Sequence, residues 1–599
     1  MAKYFLFLAL VALAVAEQPE AVAPVTAPQR RLPLGQLNFL HTTDIHGWYA
    51  GHLQQGQYSA DIGDYSSFIH RMREKINLNG SDLLLIDTGD RVDGNGLYDA
   101  SKPKGLFTFE IIKELDYDVL TLGNHELYLN DAVDDEYKKL ATALKEKYIS
   151  SNVNYIDPET GIQVPFAQRY RVFRTKNQGI KVAAFGFMFN FFKNANNTVV
   201  QRVEDTVKEK WFQAAIREDV DLFLVCGHIP LDQPEYKIIH QAIRAQKKHT
   251  PIQIFGAHSH IRNFVKYDSK AYGLQSGKYL ETIGWASIDG VKKSRTVGPK
   301  TDVTFMRRYI DNNMLAFRFH TGLNATTFPT DQGKNISSFI RDARRSLDLD
   351  KFYGCVPRNL YLRSSHLGRN DSILTWLVQD VFPYIVKTQP NRSNEPTIIG
   401  LNTGFLRYDL IKGPYTRDTK FIIAPFENYF RVIKGVPYDI AIALCNQTDD
   451  YESSAREQKF HVEDQTSISL HSQGFKSKLR RSQTLQNYIP HTSDSTQPDL
   501  VPGFITVDDG GTDGDDTLHK PLHESTELPK TLHSFVNFPD KGDPKMIDLV
   551  YGQYVESSIL ATLNDNGFPV NENDVRNYRN ESINWLISDW VKNNWPGEC

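Results

Sequence analysis

Between Leu37 and Phe319 the chain alternates short apolar runs with longer amphipathic segments, and this alternation restricts its fold more than any other feature. Runs at Leu37–His41, Leu83–Ile86, Val119–Leu122, Ile180–Phe187, Leu222–Val225 and Ile252–Phe255 have the length and branched side chains of buried strands. Between them, Tyr65–Ile76, Phe107–Leu115, Glu136–Tyr148 and Val203–Arg217 space apolar positions three and four apart, as a helix face does. Strands separated by helices predict a layered α/β domain.

Every run except Ile180–Phe187 is followed by side chains able to hold a metal. The pieces are Asp44-Ile-His46, Gly89-Asp90, Gly123-Asn124-His125-Glu126, Gly227-His228 and Gly256-Ala-His258-Ser-His260. Ligands of open α/β sheets sit beyond the carboxyl ends of strands, so five such fragments converge on one crevice. One strand-end His or Asp alone is more often a cap; five in order make a site. Carboxylate and amide oxygens mixed with imidazoles, without thiolates, suit Zn, Mn, Fe or Mg. Seven donors exceed what one tetrahedral ion needs, and a shared carboxylate would give a two-metal site.

The ordered set D-x-H, G-D, G-N-H-E, G-H, G-x-H-x-H resembles the calcineurin-like metallophosphoesterases, and within them the secreted 5'-nucleotidase family. The resemblance implies a four-layer αββα catalytic domain over 36–325 and an α/β (α+β) substrate-binding domain over 345–599 that closes by rotation. It implies that Asp44, His46, Asp90 and His260 hold one divalent ion. Asp90, Asn124, His228 and His258 hold the other, with Asp90 bridging. His125 is then the catalytic residue beside Asn124 and Asp90 that stabilises the transition state and the leaving oxygen. The family usually orients this His with an Asp three residues later, where this chain has Tyr128. Glu126 reads as a structural hydrogen-bonding partner.

The second half carries the expected substrate contacts. Asn402-Thr-Gly404-Phe-Leu-Arg407 is similar to the family's N-x-G-x-x-R element, and Phe426 of Pro425-Phe426 to its base-stacking aromatic. Phe504 and Asp513 resemble a second stacking ring and the carboxylate that takes the ribose hydroxyls. Arg363 or Arg369 is a further phosphate candidate. A ring face contributes roughly 1–3 kcal/mol per stacked base. The implied substrate is a nucleoside 5'-monophosphate such as AMP. Rivals are a 2',3'-cyclic nucleotide phosphodiesterase, a nucleotide-sugar hydrolase, a broad phosphomonoesterase, and a silent nucleotide-binding protein.

The 599 residues allow two to four folding units at about 150 residues each. With 68 Lys+Arg against 72 Asp+Glu the net charge is -4, which disfavours a nucleic-acid polymer as partner. Residues 1–16 read as a signal peptide with an Ala14-Val-Ala16 cleavage site, and the proline-bearing 17–35 as a flexible leader. No later run is long enough for a membrane anchor, and the eight N-x-S/T acceptors fit a soluble glycoprotein of the secretory pathway, vacuolar or extracellular. Of four cysteines, Cys226 reads as a buried thiol; Cys355 and Cys445 are the expected pair, with Cys599 competing. A helical pattern near Ser337–Leu347 opens the second region, which continues through a helix at Ile373–Val381 and strand-like Thr397–Leu401 and Phe421–Ala424. The polar stretch at about 452–499 reads as a mobile surface insertion or a protease-sensitive loop.

Overall fold

The computed structural model describes residues 21–291, 302–445, 506–508, 514–519 and 528–599; the expected signal peptide and polar insertion lie outside them. All six apolar runs form strands. A five-stranded sheet has the order Thr304–Asp311, Thr282–Asp289, Leu37–Thr42, Asp82–Asp87, Val119–Leu120. A seven-stranded sheet has the order Thr506–Asp508, Arg262–Asp268, Ala271–Ser276, Ile252–Gly256, Leu222–His228, Lys181–Met188, Tyr170–Arg174. Strands such as Arg262–Asp268 and Thr304–Asp311 carry too many polar residues to stand out as apolar runs.

Successive side chains of a strand point to opposite faces, and this decides how the sheets stack. Leu37, Phe39, Leu84 and Ile86 of one sheet meet Val182, Ala184, Leu222 and Leu224 of the other in a buried core. Their alternates Leu40, Leu83 and Leu85, and Ala183, Phe185, Phe223 and Val225, belong to the layers under helices such as Ile62–Leu78 and Pro234–Gln246. The first domain is thus the four-layer αββα sandwich. The expected helix at 136–148 begins earlier, at Asn130–Asp135, and continues as a π-turn over Glu136–Ala141. The expected helix at 203–217 is two short ones, Val203–Thr206 and Lys210–Ala215.

The helix near Ser337–Leu347 spans Asp331–Ser346 and packs on the first domain instead of opening the second. Gly63 and Gly333 approach so closely that a Cβ on either would strike the other's carbonyl oxygen, and Ser337 Oγ donates to Asp61 (2.8 Å). The second domain is built on a mixed sheet ordered Thr531–Val536, Thr397–Asn402, Met546–Gly552, Tyr429–Pro437, Arg576–Ser582, with a core on each face. Phe421–Ala424, strand-like in sequence, ends the helix Arg417–Ile423 instead. The reason is local: Thr416 and Thr419 form a reciprocal capping box, which overrides the β-propensity of Phe-Ile-Ile.

Three further expectations are corrected. Cys355 pairs with Cys599, not Cys445. The segment after helix Ile583–Asn594 folds back so that Trp595 stacks on Trp376 and its carbonyl accepts from Cys355 N (2.9 Å), while Cys445 is a buried thiol in the core of the opposite sheet face. The leader, expected to be flexible, is bonded to the first domain and its added strand segment within 21–35. Arg30 N donates to Asp516 O (2.6 Å), Val22 N to Leu53 O (2.8 Å), and Pro33 O accepts from Trp285 Nε1 (2.8 Å). Finally, residues 506–508 and 514–519 do not stay with the second domain. Thr506–Asp508 adds a parallel strand beside Arg262–Phe264, and Arg262, Arg307 and His320 pair with Asp515, Asp508 and Asp516 at 2.7–2.8 Å. Buried charge pairs of this kind fix the segment on the first domain, because parting one strands its partner without water.

The disulfide closes the second domain at its ends. Peptide mapping without reduction is expected to recover Cys355 linked to Cys599, and Cys599→Ser to lower stability by about 2–5 kcal/mol in a chemical melt. A Cys355–Cys445 peptide contradicts the assignment.

Candidate metal centre

The ligands sit where strands end. Asp44 and His46 follow Leu37–Thr42, Asp90 follows Asp82–Asp87, Asn124 follows Val119–Leu120, His228 closes Leu222–His228, and His258 and His260 follow Ile252–Gly256. The first two loops are zipped together: Asp44 N donates to Gly89 O and His46 N to Asp90 O, both at 2.9 Å. A Cβ on Gly89 would collide with Gly123 N, and one on Gly123 with the Asp90 carboxylate, so these glycines let the second and third loops touch.

Asp44, His46, Asp90, His258 and His260 all have φ between 48° and 73°, a left-handed conformation that side chains with a Cβ rarely adopt. Five strained residues in one crevice, at roughly 1–3 kcal/mol each, mark a functional site whose surroundings hold it in place.

Two groups of donors lie within 4.8 Å of one another: Asp44, His46, Asp90 and His260, and Asp90, His228 and His258. Asp90 belongs to both. Its Oδ1 accepts from His125 N (2.9 Å), which leaves Oδ2 facing His228 Nε2 (3.0 Å) and His46 Nε2 (3.7 Å). His46 Nδ1 donates to the carbonyls of Val92 and Asp93 and His228 Nδ1 to that of Thr88 (2.8 Å), so in each ring Nε2 is the atom left to coordinate a metal. His46 Nε2 lies 3.2 Å from His260 Nε2, a contact of two imidazole nitrogens that a shared cation would stabilise.

Asn124 Oδ1, His228 Nε2 and His258 Nε2 are buried without a hydrogen-bond partner, although Nε2 of His228 is close to Asp90. Natural interiors rarely leave such atoms unsatisfied. All three belong to the second ligand set, and the Asn124 amide is oriented by Tyr128, whose hydroxyl accepts from Nδ2 (2.9 Å). The donors therefore fit a divalent pair. Burial keeps His258 neutral, at about 4, and holds His46 and His260 well below the usual histidine range, as ligands require. Burial opposes the charge on Asp90, but His228, His125 and His46 outweigh it and hold the carboxyl well down.

Beneath the ligands lies a buried frame. Glu126 accepts from Asp90 N, Arg91 N and Gly123 N at 2.6–3.0 Å, so it is the structural partner expected of it. Arg91, fully buried, donates to Asp87, Thr121 O, Glu136 and Tyr148. His125 has its carboxylate partner after all: Nδ1 lies 3.1 Å from Oδ2 of Asp93, a residue with no sequence signal beyond following Asp90 by three.

The second domain reaches this centre. Arg407 lies over the Phe426 ring (5.6 Å), which stacks toward His125 at 6.4 Å and 23°, and the Arg407 charge acts on both His46 and His260. Arg363 shares the charge field of Arg407 and Tyr279, whereas Arg369 is exposed and pairs with Asp371. Asn402 ends its strand with Oδ1 buried and unpartnered, and Gly404 lies in the turn Thr403–Phe405 that leads to Arg407. Tyr408 enters an aromatic socket of Trp48, His52 and Tyr279, where its hydroxyl donates to Glu281 (2.7 Å). Phe504 and Asp513 lie outside the described residues.

Residues 37–262 match the calcineurin-like phosphoesterase family, and residues 359–560 the NAD nucleotidase C-terminal domain. A protein of Arthroderma benhamiae named as secreted is 35% identical over 96% of this chain and 93% of its own. The chain belongs to the calcineurin-like phosphoesterases. It is a hydrolase of the 5'-nucleotidase type: the crystal structure of 5'-nucleotidase from Candida albicans is 37% identical, with a TM-score of 0.80 over 95% of this chain and 100% of that one. A Yersinia enterocolitica 2',3'-cyclic-nucleotide 2'-phosphodiesterase/3'-nucleotidase is 28% identical over 34% of this phosphoesterase and 32% of its own length.

If Asp90 serves both ions, Asp90→Asn is expected to lose at least one of two metals per chain by elemental analysis, with an unchanged far-ultraviolet spectrum. Two retained ions would contradict the bridge.

Proposed function

We propose that this phosphoesterase hydrolyses nucleoside 5'-monophosphates, AMP-like, to nucleoside and phosphate. The observation that carries the reading is the Arg407–Phe426 pair, a cation and an aromatic face from the second domain set beside His125. Asp44, His46, Asp90 and His260 would hold one divalent ion, and Asp90, Asn124, His228 and His258 the other. When bound, such a pair activates water and offsets phosphate charge. Arg407, with Arg363 behind it, adds positive charge for the phosphate; Phe426 stacks the base; Asn402 and the turn at Gly404 contact the substrate. His125 gives a proton to the leaving ribose oxygen.

A secretory location is part of the proposal. The seven described N-x-S/T asparagines, 79, 196, 324, 335, 370, 391 and 580, are all exposed, as glycan acceptors must be. Among the described residues no helix is long and apolar enough to cross a membrane. The cyclic-nucleotide activity named for the Yersinia protein is the second reading, on its 28% identity over 34% of this chain.

A panel of AMP, a 2',3'-cyclic nucleotide and phenyl phosphate on metal-quantified protein separates these. AMP is expected to be preferred, and Phe426→Ala to raise its KM roughly 5- to 150-fold while leaving phenyl phosphate unchanged, the equivalent of about 1–3 kcal/mol of stacking. Equal rates on AMP and phenyl phosphate contradict base recognition. Fewer than two metals and no hydrolysis in added Mn or Zn would make the protein a silent binder.

A further inference from the structure

The helices Thr108–Glu114 and Asp331–Ser346 border a groove that shares no residue with the metal centre. Ile111 and Ile336 line it as buried residues, and Phe339 as a ring left 40% exposed. That ring is not free to fold away, because it stands edge-on to Phe107 at 6.0 Å. The polar lining consists of acceptors. Glu110 and Glu114 are exposed carboxylates, and Gln332 Nε2 donates to Glu114 O (2.7 Å), which leaves Oε1 to accept.

The remaining lining residue is Asn335. It is exposed, and among the described residues its amide has no hydrogen-bond partner. It opens the acceptor Asn335-Ile-Ser337. Gln332, Asn335 and Phe339 follow one another at three and four residues, so the acceptor stands between an amide and a ring on one helix face. Ser337 is buried and bonded to Asp61 (2.8 Å), so the acceptor has to be read before this helix packs.

A pyranose has an apolar face of C–H groups and a rim of hydroxyl donors. An aromatic ring takes the first, and carboxylate and amide oxygens take the second. We propose that Asn335 carries an N-linked glycan whose first sugars lie in this groove, covering Phe339 and bridging the two helices; this rests on the secretory location proposed above. In the transfer, Asn335 Nδ2 bonds to the anomeric carbon of an oligosaccharide carried on a lipid diphosphate. The bond from that carbon to the phosphate oxygen breaks, the lipid diphosphate leaves, and Nδ2 gives up one proton to solvent. The sugar then takes an exposed apolar surface out of water and ties Asp331–Ser346 to Thr108–Glu114.

Glycopeptide mapping of the full chain made in a eukaryotic secretory host is expected to find a glycan on Asn335 in most molecules. Amide hydrogen exchange over Phe107–Glu114 is then compared in wild type, Asn335→Gln, Phe339→Ala and the double variant, with Asn391→Gln as a glycan removed elsewhere. Loss of the Asn335 glycan is expected to speed exchange there roughly 2- to 10-fold, and loss of the Asn391 glycan to leave it unchanged. In the Phe339→Ala background, Asn335→Gln adds less than about twofold, because the two changes remove one contact. Occupied acceptors elsewhere with Asn335 bare, equal exchange in wild type and Asn335→Gln, or full additivity with Phe339→Ala would overturn the proposal. A chain retained in the cell with every acceptor bare would overturn the secretory reading beneath it, and this proposal with it.

Discussion

The Asp90 carboxylate is the contact on which the rest of the centre depends. It sits fully buried between two imidazole groups, close to a second buried carboxylate, Asp44. Like charges so placed are costly without cations between them; burial followed by the Asp90 charge raises the Asp44 pKa, even though His228 and His46 oppose this. The fold spends backbone strain to make the arrangement, with five ligands left-handed and two glycines letting loops touch. The Glu126 and Arg91 frame holds those loops from below, where loss of one charged partner would leave the other buried and unpaired.

The second domain reaches the centre with Arg407 and Phe426 rather than with candidate metal ligands. Tyr408 in its socket and Asp418, which accepts from Gly96 N (2.9 Å) and pairs with Arg344, join the two domains around the crevice. Arg407 is adjacent to Tyr408 in sequence, so the contact that docks the domains also places the cation proposed to meet the substrate. Thr506–Asp508 shows that the two halves of the chain are not two independent bodies: part of the second half completes the edge of the first domain's sheet.

The gathering of the candidate donors was legible in sequence because each is local to a strand end, and strand ends of one sheet must converge. The α/β layering was legible from the alternation of strand and helix runs, whereas the four-layer stacking was implied by the resemblance alone. What sequence hid was made by distant pairing. Asp93 lies three residues past Asp90, yet its partner His125 is 32 positions away, and no local pattern announces such a bond. The Cys355–Cys599 bridge depends on the terminal segment folding back through Trp595. The helix at Arg417–Ile423 was missed because its cap, Thr416, lies outside the apolar stretch that suggested a strand.

The central claim is that one carboxylate joins two ions. Electron paramagnetic resonance of manganese-loaded protein tests it most directly, since Mn ions about 3.5–4 Å apart on a shared bridge couple magnetically. The account predicts a spin-coupled dinuclear signal at two Mn per chain, lost in Asp90→Asn. A spectrum of isolated, uncoupled Mn at full occupancy would contradict it.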